Sequence, residues 1–444
     1  MTNPIKETTY GAVEGFRNEG CELYFGIPYA KPPVGELAFQ HPLPPEPWSG
    51  VLKADRGSSN AIQAHGLFGV GNNSKNCLYL NVFVPENAGT KLPVMVWIHG
   101  GAFAQSGTGA TVPGTAHLNY DFTRFARETG CIVVSFNYRL NLYGFLNLHV
   151  WDSSFGQNNG LYDQIQALRF VRENIAAFGG DPENITLFGQ SAGGASVLAL
   201  MTMDETEGLF HKAIVQSACI EHFFTEEESR LRSLAYLRAA DIESAEELLS
   251  LSAQRVEEAN AKLSTMTLSI GDVRCPFSPI IDGVTLREEP KLAVKRNKRP
   301  LLIGNVTQEA NLFLGMIPDE SLPPVVRMVR TALESNEESC QKVSDALTNY
   351  MFVRPELEII RDYAGPVFHY VYEYVLPGST MGCFHACELP TLLGKSFETL
   401  KYSEDPESER VGTEMRRLWA QFAKEGRVDW KPGEAGMRMV EERK

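Results

Sequence analysis

The side chain with the clearest chemical potential is a serine between two glycines, in Gly189-Gln190-Ser191-Ala192-Gly193. The pentapeptide follows the apolar stretch Ile185–Phe188 and opens the helix-like run SAGGASVLALM. A G-x-S-x-G sequence at a strand-to-helix junction fits a nucleophile elbow, where two small residues let the chain turn so tightly that the hydroxyl stands clear of the sheet. The helix that begins there aims its N-terminal N–H groups at developing negative charge. In a chain with 38 glycines the pentapeptide alone is a weak signal, and the flanking strand and helix carry the assignment. A second element, His99-Gly100-Gly101-Ala102-Phe103, follows the strand-like VMVWI. Consecutive glycines after a strand expose backbone N–H groups, as an oxyanion hole requires, although a plain glycine turn reads the same way.

A serine nucleophile needs a base and an acid that orients it, in the chain order Ser, then Asp or Glu, then His. Of nine histidines only His369 and His385 lie well downstream. His369 sits in the alternating VFHYVYEYV, which reads as a strand and gives it a structural role. His385 sits in the loop-like GSTMGCFHACELP, free to reach the elbow. Glu309 follows the strand-like LLIGNV by a few residues, whereas Asp282 in SPIIDGV reads as a turn residue. Residue type and order therefore select Ser191, Glu309 and His385, the acid resting on position alone.

These groups must be positioned by a sheet. Val94–Ile98, Ile132–Asn137, Ile185–Phe188, Ala213–Gln216 and Leu301–Ile303 are short, β-branched or aromatic, and bounded by Gly, Asn or Pro, as buried strands of a mostly parallel sheet are. Between two of them, Leu161, Ile165, Leu168, Val171, Ile175 and Phe178 form one apolar helix face, which Gly179 and Gly180 terminate. Asp181-Pro182 then reads as a turn into the strand ending at Phe188. This strand–helix–strand alternation predicts an α/β fold with a doubly wound sheet. Glu-rich amphipathic segments at 225–275 and a second helical block at 320–365 read as insertions packed over it, and the basic Lys295–Arg299 as a solvated turn.

Composition narrows the partners. Forty-one basic and 55 acidic residues leave a formal charge of −14, which argues against a nucleic-acid partner and against docking on anionic membranes. With 43% hydrophobic and 22% charged residues the chain is globular in type. No apolar run approaches the roughly 18 residues needed to span a bilayer, and MTNPIKETTYGAVEG has no signal-peptide pattern. Eight cysteines without a C-x-x-C pair suggest free thiols and a cytoplasmic protein. Cys383 and Cys387 flank His385, but one histidine and two thiols so close together cannot close a tetrahedral site unaided, so no metal is expected.

Nine stretches carry a resemblance along nearly the whole chain: FGIPYAKPPVGELAF (25–39), CLYLNVFVP (77–85), WIHGGAF (97–103), NYRLNLYGFL (137–146), the long segment 158–194 around the serine, LFHKAIVQSA (209–218), PFSPIIDG (276–283), IGNVTQEANLF (303–313) and FHACELP (384–390). In these the chain resembles the type-B carboxylesterases, the cholinesterase-like branch of the α/β-hydrolases, and its bacterial members in particular. The resemblance implies the α/β-hydrolase fold over 1–444 as one catalytic domain: a central, mostly parallel twisted sheet flanked by helices, with helical cap insertions. It implies a serine carboxylesterase for small-molecule esters with Ser191 as nucleophile, His385 as general acid/base and Glu309 orienting it. The oxyanion hole would be the N–H groups of Gly101, Ala102 and Ala192, Ser217 would support the triad, and no cofactor would be needed. Phe103, Ala104, Phe223, Phe224 and Phe313 are the expected pocket walls.

The departures carry expectations too. The family's acidic pair before CLYLN and its arginine in the segment matching GELAF are replaced by Lys75, Asn76 and Ala38, so both sides of an ion pair are lost together. Cys77 matches a family half-cystine without its partner and is expected to be a free, buried thiol. Phe170 stands where a tryptophan is common. The segment between Ser217 and Glu309 is short, which implies an open gorge accepting small to medium esters. The same triad could serve an amidase, thioesterase or acyltransferase, and serine-less or histidine-less members of the family are binding modules.

Overall fold

The computed structural model describes residues 2–444 except 64–68, 87, 270–273, 317–336, 397–399, 401, 403, 434–437 and 440–444. Its centre is a ten-stranded sheet. In spatial order the strands are Phe16–Asn18, Cys21–Pro28, Tyr79–Pro85, Ile132–Phe136, Leu92–Ile98, Gly180–Gln190, Lys212–Gln216, Leu301–Val306, Val367–Tyr372 and Arg438–Met439. The first four pair antiparallel, and every pairing from Ile132–Phe136 onward is parallel.

The central strands are buried along almost all of their length because both faces are covered. Successive side chains point to opposite faces. Val94, Val96 and Ile98 therefore join one core with Leu161, Ile165, Leu168 and Val171 of the helix Asn159–Asn174. Met95 and Trp97 face the other way, into a second core with Phe122, Phe125, Met415 and Trp419, the last two from the helix Pro406–Glu425. The expected helix face and its stop are both present, Gly179 ending the final turn at φ 90°. The turn expected at Asp181-Pro182 is present as well, with Glu183 N–H donating to Asp181 Oδ1 at 2.9 Å, but it lies inside the strand rather than before it. The strand already starts at Gly180, and the ladder jumps from Leu92↔Gly180 to Val94↔Ile185, so Asp181–Asn184 stand as a bulge opposite Pro93. Proline has no N–H to offer the ladder there.

Helices Glu226–Ala239, Ala245–Ser250 and Ala253–Ser269 occupy the first expected helical block. In the second, Glu337–Thr348, a π-helical turn Asn349–Val353 and Arg354–Asp362 are helical, and 320–336 lies outside the described residues. The basic Lys295–Arg299 is more than solvated: Lys295 pairs with Asp362 at 2.8 Å and Arg299 with Glu207 at 2.8 Å. No helix among the described residues is long and apolar enough to cross a membrane.

A buried ion pair ties the main helix to the sheet. Arg139 Nε and Nη2 donate to the two oxygens of Asp163 at 2.8 and 2.7 Å, and both side chains are buried. Its third nitrogen reaches the carbonyl of Ala38, so the position that lost a family arginine still receives a guanidinium. Lys75 points elsewhere, donating to the Leu249 carbonyl at 2.7 Å and lying over the Tyr143 ring. No charge is stranded by the exchanged pair. Removing one partner of a buried bidentate pair leaves the other desolvated and unpaired. Asp163→Asn should therefore lower stability by about 3–5 kcal/mol in urea unfolding, and Arg139→Leu combined with Asp163→Leu by less.

Candidate functional site

Ser191 sits between the strand Gly180–Gln190 and the helix Ala192–Leu200 at φ 59°, ψ −124°, a conformation rarely held by a residue with a side chain. The neighbouring strand pins it: Ser191 N–H donates to the Gln216 carbonyl at 2.9 Å. The two glycines of the pentapeptide are needed for space. A Cβ on Gly193 would lie 2.1 Å from the carbonyl oxygen of Ile98, and one on Gly189 would lie 2.6 Å from the carbonyl of Gly193. The helix can cross the end of the adjacent strand only where there is no side chain.

The other two residues are delivered by a pair of parallel strands. Leu301–Val306 and Val367–Tyr372 run in register from Leu301↔Val367 to Val306↔Tyr372, so their following loops leave at the same edge. The loops clasp each other: Gln308 N–H donates to the Cys383 carbonyl at 2.9 Å, and Cys383 N–H to Gln308 Oε1 at 2.8 Å. That brings Glu309 Oε2 to 2.5 Å from His385 Nδ1, while Glu309 Oε1 accepts the N–H of Val306 at 3.0 Å. Both carboxylate oxygens are committed and both residues are buried. With a proton on Nδ1 shared with the carboxylate, the Nε2 lone pair of His385 turns toward the elbow. Burial disfavours a charge on this imidazole, but Glu309 beside it outweighs burial and holds its pKa above the ordinary histidine value. Phe313 and Phe352 pack on the ring, with centroids 5.0 and 5.2 Å away. Phe352 reaches it from the π-helical turn, a distortion that recurs at functional sites.

The loop after Leu92–Ile98 completes the arrangement. Gly101, Ala102 and Phe103 have φ of 101°, 57° and 57°, a run of left-handed backbone that gathers N–H groups into a concavity for an anion. The loop is braced from beneath by Tyr138, whose hydroxyl donates to the His99 carbonyl at 2.9 Å, and by Asn141 N–H on the Phe103 carbonyl at 2.7 Å. His99 itself is structural: burial holds it down at about 4, so its ring is neutral, stacked on Tyr138 with centroids 4.4 Å apart.

Ser191, His385, Gly101, Ala102 and Phe313 all line one cavity of about 190 Å³, with Gln190, Tyr120, Gln105 and Leu389. Ala192 is the first residue of the elbow helix, where an N–H lacks an intrahelical acceptor. The other expected walls are elsewhere. Phe103 is fully buried against Phe145, at 4.8 Å between centroids, because the left-handed turn swings it into the core beneath the loop. Phe224 lies in a short strand paired with Ile280, under the Arg232 guanidinium, and Phe223 and Ala104 pack against the main core. Asp282 is a turn residue, its Oδ1 accepting three consecutive N–H groups at Val284, Thr285 and Leu286. His369 is in its strand, 3.0 Å from Glu356.

Besides Phe352 and the cavity residues Tyr120, Gln105 and Leu389, three groups around the triad escaped the sequence reading. Gln190, the variable position of the pentapeptide, places its amide nitrogen 3.2 Å from His385 Nε2. Glu388, three residues after His385 and fully buried, accepts from Gln216, and burial first and Glu309 second push it up to about 7. Cys219, two residues after Ser217, puts its sulfur 3.6 Å from Ser191 Oγ, the contact this hydroxyl makes instead of one with His385. The Ser217 hydroxyl is buried without a protein partner. Free acid–base sites often close up only around substrate.

The carboxylesterase family model matches residues 2–332 and 325–436. The chain is 36% identical over 455 residues to a para-nitrobenzyl esterase of Bacillus subtilis, covering 96% of this chain and 91% of that protein. Among solved structures, a thermophilic PNB esterase superposes with a TM-score of 0.82 at 33% identity, covering 96% and 92% of the two chains. The Geobacillus stearothermophilus carboxylesterase EST55 superposes with 0.78 at 34%, covering 95% and 91%. Built on the α/β-hydrolase sheet and matched over nearly its whole length, the chain belongs to the carboxylesterase family and is a carboxylic ester hydrolase.

Proposed function

We propose that Ser191, His385 and Glu309 are the catalytic triad of this esterase. The observation that carries the reading is the buried Glu309–His385 pair opening on the same cavity as Ser191 and the Gly101–Ala102 turn. Ser191 Oγ attacks the ester carbonyl while His385 Nε2 takes its proton, and the N–H groups of Gly101, Ala102 and Ala192 receive the oxyanion. Protonated His385 then gives its proton to the leaving alcohol, and the acyl group stays on Ser191. Water, deprotonated by the same imidazole, releases the acid. Glu309 stays ionised throughout and fixes the tautomer. Ser217 is a positioning residue behind the elbow.

The whole chain acts as one catalytic unit, with the helices in 225–275 and 320–365 as its cap. Its small-molecule esters carry short acyl groups, a reading supported by a cavity of about 190 Å³ closed by Phe313, Tyr120 and Leu389. The many buried, unpaired thiols suit a reducing compartment, and the cytoplasm is the proposed location.

Ser191→Ala should reduce p-nitrophenyl acetate hydrolysis to background, and Glu309→Gln should lower kcat by about 10³–10⁴-fold. The base must be neutral, so kcat/KM should rise with pH through the elevated His385 pKa. The negative charge of Glu309 is what raises it, so in Glu309→Gln that acid limb should move to lower pH, read from pH–rate profiles of the two enzymes. In a p-nitrophenyl series, acetate and butyrate should show higher kcat/KM than octanoate. Matched thioester and amide substrates should be slower than the ester, and an amide preference would overturn the esterase assignment of the site.

A further inference from the structure

Among the described cysteines, one faces the reaction centre. Cys219 Sγ lies 3.6 Å from Ser191 Oγ, so a reagent small enough to reach the serine stands one atom from a sulfur. A second thiol adjoins it through His222, whose backbone N–H donates to the Cys219 carbonyl at 3.3 Å and whose ring holds Cys275, the thiol that acts as hydrogen-bond donor to Cys219. Cys275 is partly exposed and in turn has its sulfur 3.1 Å from His222 Nδ1. That nitrogen also accepts the Cys275 backbone N–H at 3.2 Å, so it is the unprotonated one of the ring. Serine, thiol, thiol and imidazole therefore follow one another outward from the cavity.

We propose that Cys219 and Cys275 form an oxidant-modified site, in which a hydroperoxide oxidises Cys219 and Cys275 closes a disulfide with it, disabling the adjacent Ser191. In the first step the Cys219 sulfur attacks one peroxide oxygen. An S–O bond forms, the O–O bond breaks, and the departing alkoxide or hydroxide takes a proton to leave as alcohol or water. The sulfur has lost two electrons and the peroxide has gained them. In the second step the Cys275 thiol gives its proton to His222 and its sulfur attacks the sulfenyl sulfur. The S–S bond forms, the S–O bond breaks, and hydroxide takes that proton to leave as water. An external dithiol reverses the sequence. Reactive thiols stand within reach of the oxidant and next to a resolving partner, and Cys219, itself buried, adjoins Ser191 on the cavity wall and the His222 that holds Cys275. The Cys275 donor is the main influence holding Cys219 below the ordinary thiol range; burial opposes it, while His222 and His385 add to it. Burial instead pushes Cys21, Cys77, Cys131 and Cys387 upward. For Cys275 the hydrogen bond to Cys219, followed by burial, does the same, so that its attack waits on passing its proton to His222. The close pair Cys383 and Cys387, with sulfurs 3.7 Å apart, is the internal control: two buried thiols side by side, Cys387 pushed upward by burial.

The test is brief treatment of the reduced enzyme with hydrogen peroxide, followed by peptide mass spectrometry and p-nitrophenyl acetate assay. The expected result is a Cys219–Cys275 disulfide and a fall in activity of about tenfold or more that dithiothreitol restores. Cys219→Ala should keep its own untreated activity under the same exposure. Cys275→Ser should lose activity and carry a dimedone-reactive sulfenic acid on Cys219. Oxidation mapped to the Cys383–Cys387 pair, or equal inactivation of Cys219→Ala, would overturn the proposal. The mass readout does not depend on the role assigned to Ser191, so its failure and the failure of that assignment are separable.

Discussion

The structure turns on a place where two glycine-rich turns occupy each other's side-chain space. The elbow helix crosses the end of Leu92–Ile98 so closely that Gly193 has the Ile98 carbonyl where a Cβ would be. Reciprocally, a Cβ on Gly100 would lie 2.8 Å from the Gln190 carbonyl and 3.1 Å from Cβ of Ser191. Both strands are parallel neighbours, paired from Met95↔Thr186 to Ile98↔Gly189, so their C-terminal ends arrive together. The serine and the anion-binding loop are thereby set by the sheet register and by the absent Cβ atoms of Gly100, Gly189 and Gly193. Ligand sites of open α/β sheets lie at such strand ends. The φ of +59° at Ser191 is the strain this crowding imposes, and the Gln216 carbonyl and the helix hold it in place.

Charge is managed around the same point. Three carboxyls, Glu309, Glu356 and Glu388, are buried within electrostatic reach of the Glu309 charge, and so many ions cannot share an apolar interior. Burial drives Glu356 up to about 6 against the pull of His369, and burial with Glu309 drives Glu388 up to about 7. The outer two therefore bind protons readily near neutral pH, leaving Glu309, with both oxygens hydrogen-bonded, as the partner of His385. Phe313 and Phe352 pack on the imidazole, which is itself buried. A hydrogen bond between a carboxylate and an imidazole is worth far more in such a setting than in water.

Much of this was legible without coordinates because it is encoded over short distances. Five buried strands, the helix face from Leu161 to Phe178 and its glycine stop all follow from periodicity and backbone sterics within a few residues. The elbow was legible because its glycines, its strand and its helix are contiguous. Order along the chain separated Glu309 from Asp282 and His385 from His369, since turn and strand contexts are local properties. The whole-chain resemblance extended those local readings to a family.

What the tertiary structure alone decided is every relation between segments far apart in sequence. The Gln308–Cys383 clasp that joins acid and base spans 75 residues and exists because two strands pair in register. The left-handed turn at Ala102 and Phe103 sends an expected pocket wall into the core, and a π-helical turn sends an unremarked phenylalanine onto His385. Neither direction is written in residue type. The turn at Asp181-Pro182 became a bulge within the strand, opposite Pro93, for the same reason: the chain there answers to the strand beside it. Cys219 reads as one more apolar residue after Ser217 until the fold lays it against Ser191. Sequence determines which elements form and what chemistry each could carry, because those depend on neighbours in the chain. Which groups meet depends on how the sheet stacks distant elements, and only the folded chain holds that information.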